Sequence, residues 1–208
     1  MARPELTIID SYIKSMPQFS TICLDIEHWP LHNKSKEVID NNIRMLNIIF
    51  DRFKSAFPES NIGYYGIFPI RDYWVPVKND TNKIRLWDEK NQYLNQLAEN
   101  MDVIFPSLYT FYKDRDGWLT YAKSNIAQAR KYNKPVIVFL WPQYHTSNKF
   151  RSLDFLEYDY WTLQLDTAYK YADGIVIWTP AGKMKSQWDE TADWWRATRH
   201  FIQSRNIK

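Results

Sequence analysis

Asp25 and Glu27, separated by Ile26 at the end of the apolar run Thr21 to Ile26, are the residues best placed for acid–base chemistry. On an extended backbone, side chains two positions apart leave the same face roughly 6 to 7 Å apart, so both carboxyls face one pocket while Ile26 packs away. Two such groups in a partly desolvated place do not both ionise cheaply. One is expected to keep its proton near neutral pH, which is the starting state of a general acid. Taken alone, the same residues fit a solvated turn or an ion-paired strand end equally well, so the pair gains meaning from its surroundings.

Other reactive types offer less. His28 and His32 have helical metal-ligand spacing, but Pro30 between them breaks the helix such a pair needs, so a polar loop is expected and no metal. Cys23 lies inside an apolar run and is expected as a buried thiol. No Gly-x-Ser-x-Gly elbow exists. The five glycines are Gly63, Gly66, Gly117, Gly174 and Gly182, where ordinary usage would give roughly fifteen. Neither a P-loop nor a dinucleotide-binding loop can be written from them, and no cofactor is expected.

Five short apolar segments must position the acids: Thr21 to Ile26, Ile62 to Phe68, Asp102 to Leu108, Pro135 to Trp141 and Asp173 to Trp178. Their unbroken hydrophobicity predicts strands covered on both faces. Helical stripes alternate with them. The clearest runs from Lys36 to Phe57 through Val38, Ile39, Ile43, Leu46, Ile49, Phe50 and Phe53, and Pro58 ends it. Further helices are predicted around Tyr93 to Met101, Leu119 to Ala129, Phe155 to Ala168 and Asp189 to Gln203, and an opening helix over Pro4 to Ser15.

Strand and helix in alternation predict an α/β fold with a parallel sheet. A complete eight-stranded barrel takes about 250 residues, and the chain has 208. The expectation is therefore a TIM-barrel-like (β/α) barrel, distorted and abbreviated or incomplete at its N-terminal side, in one domain over residues 1–208.

Charge is nearly balanced, 27 Lys and Arg against 24 Asp and Glu, with no block of like sign to grip a phosphate backbone or an anionic bilayer. Neither nucleic acid nor membrane is an expected partner. The longest apolar run, Val136 to Trp141, cannot span a bilayer, and the N-terminal residues lack the apolar core of a secretory leader, so a soluble chain is expected. Compartment and oligomeric state are left open.

Ten Trp, fourteen Tyr and eleven Phe make an aromatic load large for so hydrophilic a chain. Tyr64, Tyr65, Tyr73, Trp74, Tyr109, Tyr112, Trp141, Tyr144 and Trp178 fall at or just past the carboxyl ends of the predicted strands, the face where α/β folds bind ligands. Packing explains any one of them. As a set beside two acids they suggest the wall of a sugar-binding cleft, with Tyr65, Tyr73, Tyr109, Trp141 and Trp178 as its substrate-binding residues.

The succession Asp25-x-Glu27-x-Trp29-Pro30, Gly63-Tyr64-Tyr65-x-x-Phe68-Pro69, Phe105-Pro106-Ser107-Leu108-Tyr109, Pro135-Val136 and Gly174-Ile175-Val176-Ile177-Trp178 resembles the hyaluronidase family of glycoside hydrolases. The resemblance runs from about Ile22 to Trp178. It implies a distorted barrel and cleavage of β-linked N-acetylhexosamine polysaccharide by a retaining mechanism in which the substrate's own N-acetyl carbonyl attacks the anomeric carbon. By the same resemblance Glu27 is the acid and then the base, Asp25 orients the acetamido group, and Tyr109 and Trp178 close around it. Tyr73 comes one residue later than the family pattern. Two departures stand out: the paired cysteines of animal hyaluronidases are absent, and little of the segment that supplies their first strands precedes Asp25. Two alternatives share the aromatic cleft, a chitinase-like endoglycosidase and a non-catalytic carbohydrate-binding barrel. A protein nucleophile, were one used, would be sought at Asp72, Asp114 or Asp173.

Overall fold

The computed structural model describes residues 5–179 and 189–207. Pro4 and Gly182, named above, lie outside them. In chain order the elements are α1 Leu6–Ser15, β1 Thr21–Leu24, α2 Lys36–Ala56, β2 Asn61–Tyr64, α3 Trp74–Lys78, α4 Thr81–Tyr93, α5 Asn95–Ala98, α6 Arg115–Arg130, β3 Ile137–Leu140, α7 Tyr158–Tyr171, β4 Gly174–Ile177 and α8 Asp193–Ser204. No helix among the described residues is long and apolar enough to cross a membrane.

β1 pairs in parallel with β2, and β3 with β4. The third predicted strand, 102–108, joins the two pairs through isolated parallel bridges: Phe105 meets Tyr65 on one side, and Ile104 and Ser107 meet Val136 and Phe139 on the other. It falls short of a regular ladder at Pro106, whose carbonyl accepts from Phe139 N–H at 2.8 Å but which has no N–H to return. The five segments thus form one parallel arc in the expected order. The expected barrel does not close among the described residues, where β1 and β4 pair on one side only. At the fixed spacing of paired strands, five segments are too few to circle an interior filled by side chains, whereas eight suffice.

Alternation along the arc sorts its side chains into two layers. Ile22, Leu24, Ile62, Tyr64, Ile104, Val136, Val138 and Leu140 point outward into the main core beneath the helices. Cys23, Tyr65, Val103, Phe105, Phe139, Trp141 and Val176 point inward and form a second, smaller cluster. β1, β2 and β3 are covered as predicted, by helices outside and by aromatic rings inside, whereas β4 at the edge of the arc is only partly buried and leaves Ile177 exposed.

The helices follow the apolar stripes closely. α2 starts at Ser35, whose hydroxyl accepts from Val38 N–H, and buries Ile43, Leu46, Ile49, Phe50 and Phe53. The Tyr64 hydroxyl donates to Leu46 O at 2.8 Å and pins β2 to it. The stripe at Tyr93 to Met101 is divided between the end of α4, the single turn of α5 and a coil, although Leu94, Leu97 and Met101 are buried as expected. The bulk of α4 shows no stripe because only Trp87 and Asn91 on it are buried. Its start is set by Asp80, which accepts from the Asn82 and Lys83 amides.

Gly63 faces inward opposite Val103, and a Cβ there would lie 2.0 Å from the Val103 carbonyl oxygen. Only glycine lets β2 approach the bridging segment this closely. Gly63→Ala should therefore cost roughly 1–3 kcal/mol, the range for forced overpacking, read as a lowered urea midpoint. An unshifted midpoint would show that the two segments can separate without loss.

Candidate functional site

β1 ends at Leu24, so Asp25 and Glu27 lie just beyond the strand and not within it. They nevertheless open into one cavity of about 460 Å³ at the carboxyl end of the arc, lined also by Cys23, Tyr65, Arg71, Tyr109, Phe139, Trp141, His145, Thr146 and Trp178. Of the seven residues expected at the site, six meet here. Tyr73 does not. It is buried against Trp74, Tyr112 and Tyr121, with ring centres 5.0, 4.8 and 5.1 Å away. The segment after Phe68-Pro69 gives Arg71 to the cavity and then turns away into α3, which makes Tyr73 a packing residue. Burial, and after it Asp114, push its phenol upward, and its hydroxyl makes no hydrogen bond of ordinary geometry.

Tyr64 and Tyr144 also leave the expected wall. Tyr64 occupies the outward phase of β2, one residue from the inward Tyr65. Tyr144 is fully buried beneath the Arg151 guanidinium, 4.7 Å from its ring centre.

Three rings make the aromatic end of the cavity. Tyr109 stacks on Trp178 at 5.7 Å and 17°, and Trp141 stands edge-on to both at 5.2 Å. Trp141 is held by its indole N–H, which donates to Gln143 Oε1 at 2.9 Å, while the Gln143 amide donates to Leu153 O at 2.7 Å. Trp178 remains 38% exposed. The polar end is equally ordered. Ser107 Oγ accepts from the Tyr65 hydroxyl at 3.1 Å and from Arg71 Nη1 at 3.2 Å. The Arg71 guanidinium lies 5.0 Å from the Phe111 ring centre and forms no salt bridge among the described residues.

Burial raises the Asp25 carboxyl from its ordinary range. Asp25 in turn contributes, behind burial itself, to raising the Tyr109 phenol and the Cys23 thiol, the latter to about 12. Cys23 stays protonated at neutral pH and is no nucleophile. Burial likewise raises the Tyr65 phenol, with a smaller push from Glu27.

His145 was not anticipated from sequence. Ser147 N–H donates to its Nδ1 at 3.1 Å, and the Ser147 hydroxyl meets the same nitrogen at 2.8 Å. A backbone N–H can only donate, so Nδ1 is the acceptor and the neutral ring carries its proton on Nε2. Burial, with Arg71 nearby, holds the imidazole below its usual range, so His145 is a neutral Nε2–H donor at pH 7.

The cleft continues past Glu27 into a second cavity of about 250 Å³ that shares Glu27, Tyr65 and Arg71 and adds Trp29, His32, Ile67 and Ile70 among its walls. His32 lies there while His28 packs edge-on against Trp29 at 4.7 Å. No three His, Cys, Asp or Glu side chains gather to hold a metal among the described residues.

The three other aspartates have structural work. Asp72 accepts from Val75 N–H at the start of α3, and Asp114 caps α6 through Gly117 N–H. Asp173 accepts from Val136 N–H and pairs with Arg130.

No protein-family model and no curated protein sequence matches this chain. Among solved structures, bee venom hyaluronidase in a monoclinic crystal superposes with a TM-score of 0.67 at 16% identity, over 94% of this chain and 73% of that one. Bee venom hyaluronidase in complex with a hyaluronic acid tetramer gives 0.66 at 16% identity, over 96% and 71%. The fold is hyaluronidase-like. At that identity the likeness concerns the path of the backbone, and the cavity geometry carries the rest.

Asp25 has a stability consequence. A carboxyl raised in the folded state costs nothing while protonated in both states, below the ordinary carboxylate range near 3.9, and costs stability above it as the buried group ionises. Asp25→Asn should therefore raise the neutral-pH denaturation midpoint slightly, by less than about 1 kcal/mol because the group is partly solvated, and the gain should vanish on acidification. A variant less stable than the parent at pH 7 would mean that the charge is compensated in the fold.

Proposed function

We propose that the chain is a glycoside hydrolase that cleaves β-linked N-acetylhexosamine-containing, hyaluronan-like polysaccharide with retention through substrate assistance. The observation that carries this reading is one cavity, in a hyaluronidase-like fold, holding Asp25 and Glu27 beside the Tyr109–Trp141–Trp178 ring cluster. It takes residues 1–208 as one domain, an abbreviated form of the distorted barrel, with an oligosaccharide or polysaccharide as its partner.

In this reading the N-acetyl sugar lies against the three rings, its apolar C–H face on Trp178. The acetamido carbonyl oxygen attacks C1 as the C1–O bond to the leaving sugar breaks, and the leaving oxygen takes the proton of Glu27. Glu27, now a carboxylate, removes a proton from water. That water attacks C1, breaks the bond to the acetamido oxygen and restores the N-acetyl group. Asp25 faces the acetamido nitrogen, where positive charge develops. Its desolvation, costly in the resting protein, strengthens its interaction with that charge in the transition state. The portion of polymer beyond the cut would occupy the second cavity, since Glu27 lines both. Arg71, which forms no salt bridge among the described residues and lines both cavities, favours an acidic polymer over a neutral chitin-like one.

Glu27→Gln should lower turnover by about two to four orders of magnitude, the usual share of a general acid–base group, with polymer affinity nearly kept. The readout is product size by mass spectrometry over a panel of N-acetylhexosamine polymers. Turnover at the parental rate would remove Glu27 from the reaction. A wild-type chain that binds oligosaccharide and never shortens it would leave only the carbohydrate-binding reading.

A further inference from the structure

A second aromatic surface lies outside the cavity. Trp74, the first residue of α3, is 45% exposed, and Tyr112, in the loop after the bridging segment, is 39% exposed. Their ring centres are 4.9 Å apart at 48°. Tyr73 is packed edge-on against both rings and is itself anchored on fully buried Tyr121. Scattered exposed apolar residues are ordinary on a protein surface. Two large rings, one at the start of α3 and one in a loop, held together by a buried third, form a preorganised contact surface that nothing covers among the described residues.

Side-chain contacts link this surface to the lining of the cleft. Tyr112 adjoins Phe111 at 6.4 Å, and Phe111 contacts His145 at 4.8 Å and carries the Arg71 guanidinium at 5.0 Å. His145 and Arg71 both line the cavity that contains Asp25 and Glu27. The rim carries both signs of charge: Lys78 Nζ lies 5.3 Å from the Trp74 ring centre, and Lys113 and Asp114 are exposed beside Tyr112. Flat rings edged by hydrogen-bond donors suit a pyranose, whose C–H face is apolar and whose margin carries hydroxyl or carboxylate oxygens.

We propose that Trp74 and Tyr112 form a remote sugar-binding platform that holds a distal residue of the same polysaccharide chain whose scissile bond lies at Asp25 and Glu27. The proposal rests on the glycoside hydrolase reading for the identity of its ligand. Its effect is one of effective concentration: a chain held at the platform presents its other residues to the cavity, so long polymers bind better than short ones without any change at the acid. Tyr73 then acts as a positioning residue, holding both rings in place from beneath.

The test is titration calorimetry on the Glu27→Gln protein, which keeps the polymer uncut, with a hyaluronan tetrasaccharide and a long hyaluronan fragment as probes. Chitin oligosaccharides of matching lengths form a second pair. Trp74→Ala and Tyr112→Ala should each lower the ratio of long-chain to tetrasaccharide affinity by roughly threefold to tenfold, the worth of one aromatic stacking contact. Trp74→Tyr should restore most of it. An equal loss for both lengths would mean that the rings only support the cavity, and an unchanged ratio would mean that the polymer does not reach them; either overturns the platform. Long-chain binding that depends on Trp74, in a protein whose wild type never cuts, would sustain the platform and overturn the hydrolase reading. Absence of binding to every probe would overturn both.

Discussion

The constraint on which the site depends is the strict alternation of side chains along a parallel strand. One phase of each segment is taken up by the helices, so the opposite phase faces the concave side of the arc and cannot choose its surroundings. Tyr64 and Tyr65 show the rule at its smallest scale: one hydroxyl holds α2 while the next reaches Ser107 inside the cleft. The inward phase carries large rings at Tyr65, Phe105, Phe139 and Trp141, and the backbones come close only where the residue is Gly63. The cavity is the space left above those rings where the strands end.

Within that space Asp25 lies beside Tyr109 and Cys23 and forms no salt bridge among the described residues. Arg71 is satisfied in part by Ser107 and by the face of Phe111. His145 is held neutral, in one tautomer, by the Ser147 amide. A cleft that holds Asp25, Glu27 and Arg71 together presents both signs of charge to whatever enters it.

Much of this arrangement was legible in the sequence. Five apolar runs gave the five arc segments in order, and the stripe from Lys36 to Phe57 gave α2 nearly to the residue. Asp25, Glu27, Tyr65, Tyr109, Trp141 and Trp178 were legible as a group because strand ends converge on one face whatever the details of the loops. What failed to show was whatever depends on loop path. Tyr73 follows a turn that carries it outside the cavity, and no periodicity reports such a turn. His145 is a single polar residue in an irregular segment, where neither spacing nor composition separates a cleft residue from a solvated one. The weak pairing of segment 102–108 had a visible cause in Pro106, yet its bridges to both neighbours depend on contacts distant in sequence. An abbreviated or incomplete barrel was the expectation from five strands, and among the described residues those segments form an arc that does not close.

The most direct measurement of the account is the configuration of the first product released from a β-linked N-acetylhexosamine oligomer, followed by proton NMR before mutarotation. Substrate assistance within one cavity predicts the β-anomer, because two displacements at C1 restore the starting configuration. The α-anomer as first product would require water and acid on opposite faces of the sugar, and would contradict a mechanism built on Asp25 and Glu27 side by side.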